Sequence, residues 1–247
     1  MKKRLLIIAA ITCFIAIQFA ARAAFYPKQK DTAMNTLTQE EKRQGWQLLF
    51  DGKTMNGWRT YQNKPQTSWY ISNGILGCKY DTTNTYQHSD LITDKQYKNF
   101  ELMLDWKIEP HANSGILYMV NEKYEYPFFS GPEYQLLDDD WYLKNEHIHL
   151  SQKSGANYDM DAPAADALKP LGEWNHTVIT VNNGHVAHWL NGQKTADYVI
   201  GSDNWETHKA ASKWKDVEGY AADPVGHIDL QDHGGGVSFK NIKIKEL

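Results

Sequence analysis

YKNFELMLDWKIE, running from Tyr97 to Glu109, places an apolar residue at every second position. Phe100, Leu102, Leu104, Trp106 and Ile108 fall on one face, and Glu101, Met103, Asp105 and Lys107 on the other. Side chains alternate across a strand, so a period of two predicts a long strand with one face on a core. The segments around it read the same way. Trp46 to Trp58 (WQLLFDGKTMNGW) has apolar runs broken at Asp51-Gly52 and Asn56-Gly57, and Trp69 to Cys78 (WYISNGILGC) folds back at Asn73-Gly74. Asn-Gly between apolar runs is a strong hairpin signal, because both central residues of the favoured turn need positive φ. Trp174 to Leu190 reads as two strands around Asn183-Gly184, with a further turn at Asn191-Gly192. Gly226 to Leu247 (GHIDLQDHGGGVSFKNIKIKEL) gives two more strands around a glycine run.

One helix is expected within the domain, near Ser202–Trp214, with Ser202 and Asp203 as caps and Glu206 completing a capping box. Leu37–Glu41 is a short helical candidate ahead of it. About a dozen strands without strand–helix alternation predict an all-β protein, a β-sandwich or jelly roll of antiparallel sheets. No internal repeat divides the chain, so residues 45–247 are expected as a single domain.

The N-terminus, MKKRLLIIAAITCFIAIQFAARAA, has a basic start, an apolar run from Leu5 to Ala20 and a small-x-small site at Ala21-Arg22-Ala23. That pattern is a secretory signal peptide over residues 1–23, followed by a polar lead-in over 24–44. Cys13 stands mid-run among apolar residues, so cleavage near Ala23 is preferred to a lipid anchor, and the setting is periplasmic or secreted. Cleavage leaves 22 basic against 30 acidic residues, a net charge of −8. Such a balance argues against nucleic acid or an anionic membrane as partner, and no transmembrane segment is expected in the mature chain. Cys78 is then the only cysteine, so no internal disulfide forms. The oligomeric state is open.

Polar residues interrupt one-sided apolar patterns in four places. In Gly131 to Asp140 (GPEYQLLDDD), Glu133 and Gln135 share a face while Tyr134 and Leu136 take the other. In His111 to Val120 (HANSGILYMV), Asn113 and Ser114 sit at what reads as a turn entering a strand. Asp229, Gln231 and His233 alternate with Ile228 and Leu230, and Trp174-Asn175-His176 precedes His188-Trp189. Carboxylates, amides and imidazoles on one face of a sheet suit a ligand rich in hydroxyls, a sugar above all. Taken singly, Asn113-Ser114 is first of all turn chemistry and His188 a satisfied histidine on a sheet face. A carboxylate with an amide, twice over, is harder to assign to a solvated surface. His147 and His149 follow Asp138-Asp139-Asp140, but no calcium-loop spacing is present and a Cys-based zinc site is excluded. No cofactor is implied, although the chain leaves room for a divalent metal.

FDGKTMNGW, WYISNGILGC, NFELMLDWKIEPHANSGILYMV, GPEYQLLDD, GEWNHTVITVNNGHVAHWLNG and GHIDLQDHGGGVSFKNIKIKEL, in this order, resemble the 3-keto-disaccharide hydrolase family over Gly45–Leu247. The resemblance implies a concanavalin A-like jelly roll of two antiparallel sheets whose concave face binds sugar. It also implies glycosides, such as disaccharides, already oxidised to a ketone at carbon 3. A ketone there acidifies the hydrogen on carbon 2, and the glycosidic oxygen on carbon 1 is then β to the carbanion. Cleavage of that bond needs a base, a stabiliser for the enolate, and an acid or metal for the leaving oxygen. Glu133, then His233, is the expected base. Gln135, Gln231, Asp229, Asn113 and Ser114 are expected to hold substrate, with Trp69 or Trp174 as stacking platforms and Asp105 and His188 as further candidates. Residues 139–153 do not align with the family, so His147 and His149 inherit no role. Two other readings stay open. One is a sugar-binding module without catalysis; the other is a retaining glucanase using Glu133, Gln135 and Asp138 in place of three acids.

Overall fold

The computed structural model describes residues 33–81, 83 and 85–247, and Met34–Leu247 form one compact unit. The signal peptide expected over 1–23, and Cys13 within it, lie outside the described residues. Strands are β1 (Gln47–Leu48), β2 (Trp58–Thr60), β3 (Trp69–Ser72), β4 (Ile75–Cys78), β5 (Leu91–Thr93), β6 (Phe100–Ile108), β7 (Asn113–Val120), β8 (Glu133–Leu137), β9 (Asn175–Asn182), β10 (His185–Leu190), β11 (Gln193–Val199), β12 (His227–Leu230) and β13 (Val237–Glu246). They form two antiparallel sheets. The larger runs β11-β10-β9-β6-β13-β4-β3 with β1 added to β13, and the smaller runs β2-β5-β12-β7-β8.

The alternation in β6 is realised as expected. Phe100, Leu102, Leu104, Trp106 and Ile108 are buried in the core between the sheets, where Ile116, Tyr118, Tyr134 and Leu136 come from the smaller sheet. A hydrogen-bonded chain crosses this core: the Trp106 indole N–H donates to Thr177 Oγ1 at 2.8 Å, and Thr177 donates to the Tyr134 hydroxyl at 2.9 Å. All three Asn-Gly hairpins close with both residues at positive φ, Asn73 (50°) and Gly74 (76°) being typical.

Three short helices are described, two where the sequence suggests them. In α1 (Gln39–Arg43), Thr38 and Glu41 bond reciprocally, and Lys243 pairs with Glu41 at 2.7 Å, so the lead-in from Met34 is tied to β13. α3 (Asp203–Ala211) is capped by Ser202 alone, because Trp205 holds the third helical position and Glu206 falls one residue past the reciprocal place. α2 (Asp139–Asn145) is an addition to the single domain helix expected. Its cap is Asp138, whose carboxylate accepts the backbone N–H of Trp141 at 3.3 Å and of His111 at 2.8 Å. Asn113-Ser114 begins β7 itself, the bend falling just before it at Pro110–Ala112.

Candidate active site

Tyr134 points into the core, so its neighbours Glu133 and Gln135 lie on the outer face of the smaller sheet. In register beside them, Gln135 faces Gly115, and Leu117 lies opposite both Glu133 and Asp229. Leu117 joins Tyr61, Ile92 and Val120 in a small apolar cluster, with Phe128 packed on it. The outer face is therefore apolar at one end and polar at the other.

Glu133 leans over Gly115. A Cβ added at Gly115 would stand 2.8 Å from both Cγ and Cδ of Glu133, so glycine makes the room this carboxyl occupies. Glu133 is 4% exposed, and its side-chain carboxyl accepts no hydrogen bond among the described residues. Burial, with Asp90 adding to it, pushes its pKa up to about 8. Asp229 is fully buried with both carboxylate oxygens unpartnered, and burial together with Asp90 and Glu133 holds it well above the carboxylate range. Asp90, just ahead of β5, is pushed up to about 7 by burial, although its Oδ1 accepts the Asp232 N–H at 2.7 Å. Gln231 is buried with its Oε1 unpartnered, and Gln135 donates to Asn113 Oδ1 at 2.8 Å. Two carboxyls, Glu133 and Asp229, and one amide oxygen thus lack donors on one face. Buried acceptors left unpaired are costly, and a ligand carrying hydroxyls supplies what they lack. Among the described residues, no three His, Cys, Asp or Glu side chains form a metal-holding group.

The expected residues divide by face. Glu133, Gln135, Asn113, Asp229 and Gln231 come together. His233 is exposed in the loop between Asp232, bonded to Asp90, and Gly235, which packs against the backbone of Asn113. The others lie elsewhere. Ser114 faces inward and donates to the Gln231 carbonyl at 2.8 Å, so it braces the floor rather than lining it. Trp69 is buried against Phe239, with its indole N–H on the Ser89 carbonyl. His188 is fully buried between the sheets, 2.9 Å from the Tyr118 hydroxyl, and burial lowers its pKa to about 4. Asp105 bonds His176 and Asn241 on the outer face of the larger sheet, where Lys107 and Lys240 also lie over the Trp174 ring. Period-two alternation places Asp105 on the polar face of β6 but carries no information about which sheet that face belongs to.

Asp90 and the segments 155–159 and 212–214 were not legible as site residues. The Gly155 N–H donates to the Gln135 carbonyl and the Tyr158 N–H to the Glu133 carbonyl, so this loop hangs on β8. The Trp214 indole N–H donates in turn to the Tyr158 carbonyl at 3.1 Å. These are contacts between distant segments, and the lone hint in sequence is an aromatic beside a cation at Lys213-Trp214.

Comparison with known proteins gives the family and the fold. Residues 45–245 match the family model of the 3-keto-alpha-glucoside-1,2-lyase-like domain. A 3-keto-disaccharide hydrolase of Bacteroides thetaiotaomicron is 32% identical over 251 residues, covering 91% of this chain and 87% of that protein. Among solved structures, a candidate glycosyl hydrolase of Parabacteroides distasonis is 38% identical with a TM-score of 0.78, covering 87% of this chain and 99% of that one. A second from the same organism, 24% identical with a TM-score of 0.62, shares the fold. With a two-sheet sandwich and a match across nearly all of the described unit, the chain belongs to the 3-keto-alpha-glucoside-1,2-lyase-like family of enzymes acting on glycosidic bonds.

Proposed function

We propose that this protein cleaves glycosides carrying a ketone at carbon 3 and that Glu133 is the base. The observation that carries the proposal is the Glu133 carboxyl itself, buried, free of hydrogen bonds and raised to about 8. A carboxylate stripped of water and of donors is a strong base for a carbon acid. Glu133 takes the hydrogen from carbon 2, and the electron pair moves onto the oxygen at carbon 3. Its return forms a carbon 1–carbon 2 double bond as the carbon 1–oxygen bond breaks. The leaving oxygen takes a proton from His233 at the rim. Water adding across the new double bond restores the 3-keto sugar, so elimination and net hydrolysis are successive stages of one chemistry. Gln135, Gln231 and Asn113 hold ring hydroxyls, and protonated Asp229 donates to one.

The retaining-glucanase reading fares less well, because Asp138 is committed to capping α2 and to the His111 N–H. Export by a leader over residues 1–23 remains part of the proposal, and N-terminal sequencing of the protein recovered from cells checks it. No helix among the described residues is long and apolar enough to cross a membrane.

The test is NMR product analysis in D2O with 3-keto glycosides and their unoxidised parents. Cleavage confined to keto forms, with deuterium entering at carbon 2, is the expected result. Cleavage of the parents, or of keto substrates to a product that keeps its original hydrogen on carbon 2, overturns it.

A further inference from the structure

Proton abstraction leaves a negative charge on the ketone oxygen, and the neutral groups of the sheet floor, protonated Asp229 and the Gln231 amide, bring no positive charge to meet it. A donor, preferably cationic, must stand on the other side of the substrate from the sheet floor. We infer that Lys213 is that donor, an electrophile whose ammonium binds the oxygen on carbon 3 as it becomes an enolate. The inference rests on the reading of Glu133 as base.

Lys213 lies outside the sandwich in sequence, two residues past α3, yet it is pinned next to Glu133 by a short series of bonds. The Tyr158 N–H donates to the Glu133 carbonyl at 3.0 Å, and the Trp214 indole N–H donates to the Tyr158 carbonyl at 3.1 Å. The Lys213 ammonium lies 4.1 Å from the Tyr158 ring centre and 4.4 Å from that of Trp214. Its backbone N–H donates to the Asp159 carboxylate at 2.8 Å. Two aromatic faces hold a lysine amine without consuming its donor hydrogens, so they remain available to a ligand. The charged and titratable groups that face this amine are Glu133, Asp159 and Tyr158. Glu133 in turn faces Asp90 and Asp229. Desolvation pulls the Lys213 pKa below the ordinary lysine value against the attraction of Glu133 and Asp159. A base that must be ionised and an acid that must stay charged give a bell-shaped dependence of kcat/KM on pH. With proton abstraction limiting the rate, and His233 acting only in the later expulsion of the leaving oxygen, Glu133 sets the acid limb and Lys213 the alkaline one.

The experiment compares wild type with Lys213→Met and Lys213→Arg on one 3-keto glycoside, following cleavage and deuterium entry at carbon 2 from pH 6 to 11. Lys213→Met should lose kcat/KM by about 10²–10³-fold, the usual cost of removing one oxyanion donor. Lys213→Arg should recover part of that loss, and its alkaline limb should vanish because guanidinium stays charged. A merely structural lysine would leave the limb where it is. Wild-type kinetics with an unchanged alkaline limb in both variants would overturn the inference, as would a loss in Lys213→Met accompanied by a collapse in melting temperature that Lys213→Arg repairs without moving the limb. If wild type neither cleaves nor exchanges, the reading of Glu133 fails first, and the Lys213 assignment falls with it.

Discussion

Gly115 decides the geometry of the site at the scale of one residue. It leaves open the volume over which Glu133 leans, and a methyl group there would collide with Cγ and Cδ. Gly115→Ala should therefore displace the carboxyl by about 1 Å or more and lower kcat/KM by roughly 10²-fold, since misplacement of that size has such a cost. Circular dichroism and melting temperature should stay near wild type; unchanged kinetics would separate Glu133 from catalysis. Burial of Glu133 also has a thermodynamic consequence. Its carboxyl keeps its proton up to about pH 8 in the folded protein, whereas in the unfolded chain it ionises near 4.5. Between those values the folded state binds more protons, so stability falls as pH rises. Glu133→Gln removes this penalty. It should gain melting temperature over wild type progressively from pH 5 to pH 8, while turnover is abolished. A constant difference across that range would mean the carboxyl is hydrated in the folded protein.

α2 makes the same point for an element. Of Asp138-Asp139-Asp140, read from sequence only as a third acid for the glucanase alternative, Asp138 caps a helix and Asp139 accepts the Ser154 N–H at 2.8 Å. The helix packs Trp141 at a tilt against His111 with ring centres 4.7 Å apart, and Tyr142 reaches the side chain of Asn113. One end of the site is thereby walled by a helix seven residues long. Asp138→Ala should cost about 1 kcal/mol in chemical denaturation, the usual worth of an N-cap. It should also raise KM more than it lowers kcat, because the wall positions substrate and takes no part in proton transfer. A stability change without any change in KM would detach α2 from the site. β6 was legible where α2 was not: β6 shows its period of two over nine residues, whereas seven residues of helix give two turns and no usable apolar stripe.

Across the whole molecule, each candidate group belongs to one of three layers: the outer face of the smaller sheet, the core, or the outer face of the larger sheet. His188 belongs to the core, where burial holds it neutral to about pH 4 while the unfolded chain takes up its proton near 6.5. Unfolding thus binds a proton in that window, and stability should fall as pH drops from about 6.5 to 4. Opposed by the loss that Glu133 causes as pH rises, this acid limb should give a stability maximum in the mildly acidic range, readable from melting temperature against pH. A curve rising steadily to pH 8 would contradict the burial of Glu133, and one with no acid limb below about pH 6.5 the burial of His188. The sequence by itself determined most strands, their hairpin turns and the inward faces of β6, β8 and β12, because alternation and Asn-Gly turn chemistry are local properties of the chain. It also singled out Glu133, Gln135, Asp229 and Gln231, since a polar pair on an apolar strand is visible within five residues. Only the tertiary structure decided that Asp105 and Trp174 lie across the sandwich from Glu133, and that Asp90 and Lys213 lie beside it. Which strands become neighbours, and which loop folds over which face, depend on contacts between segments tens of residues apart, and no local pattern encodes them.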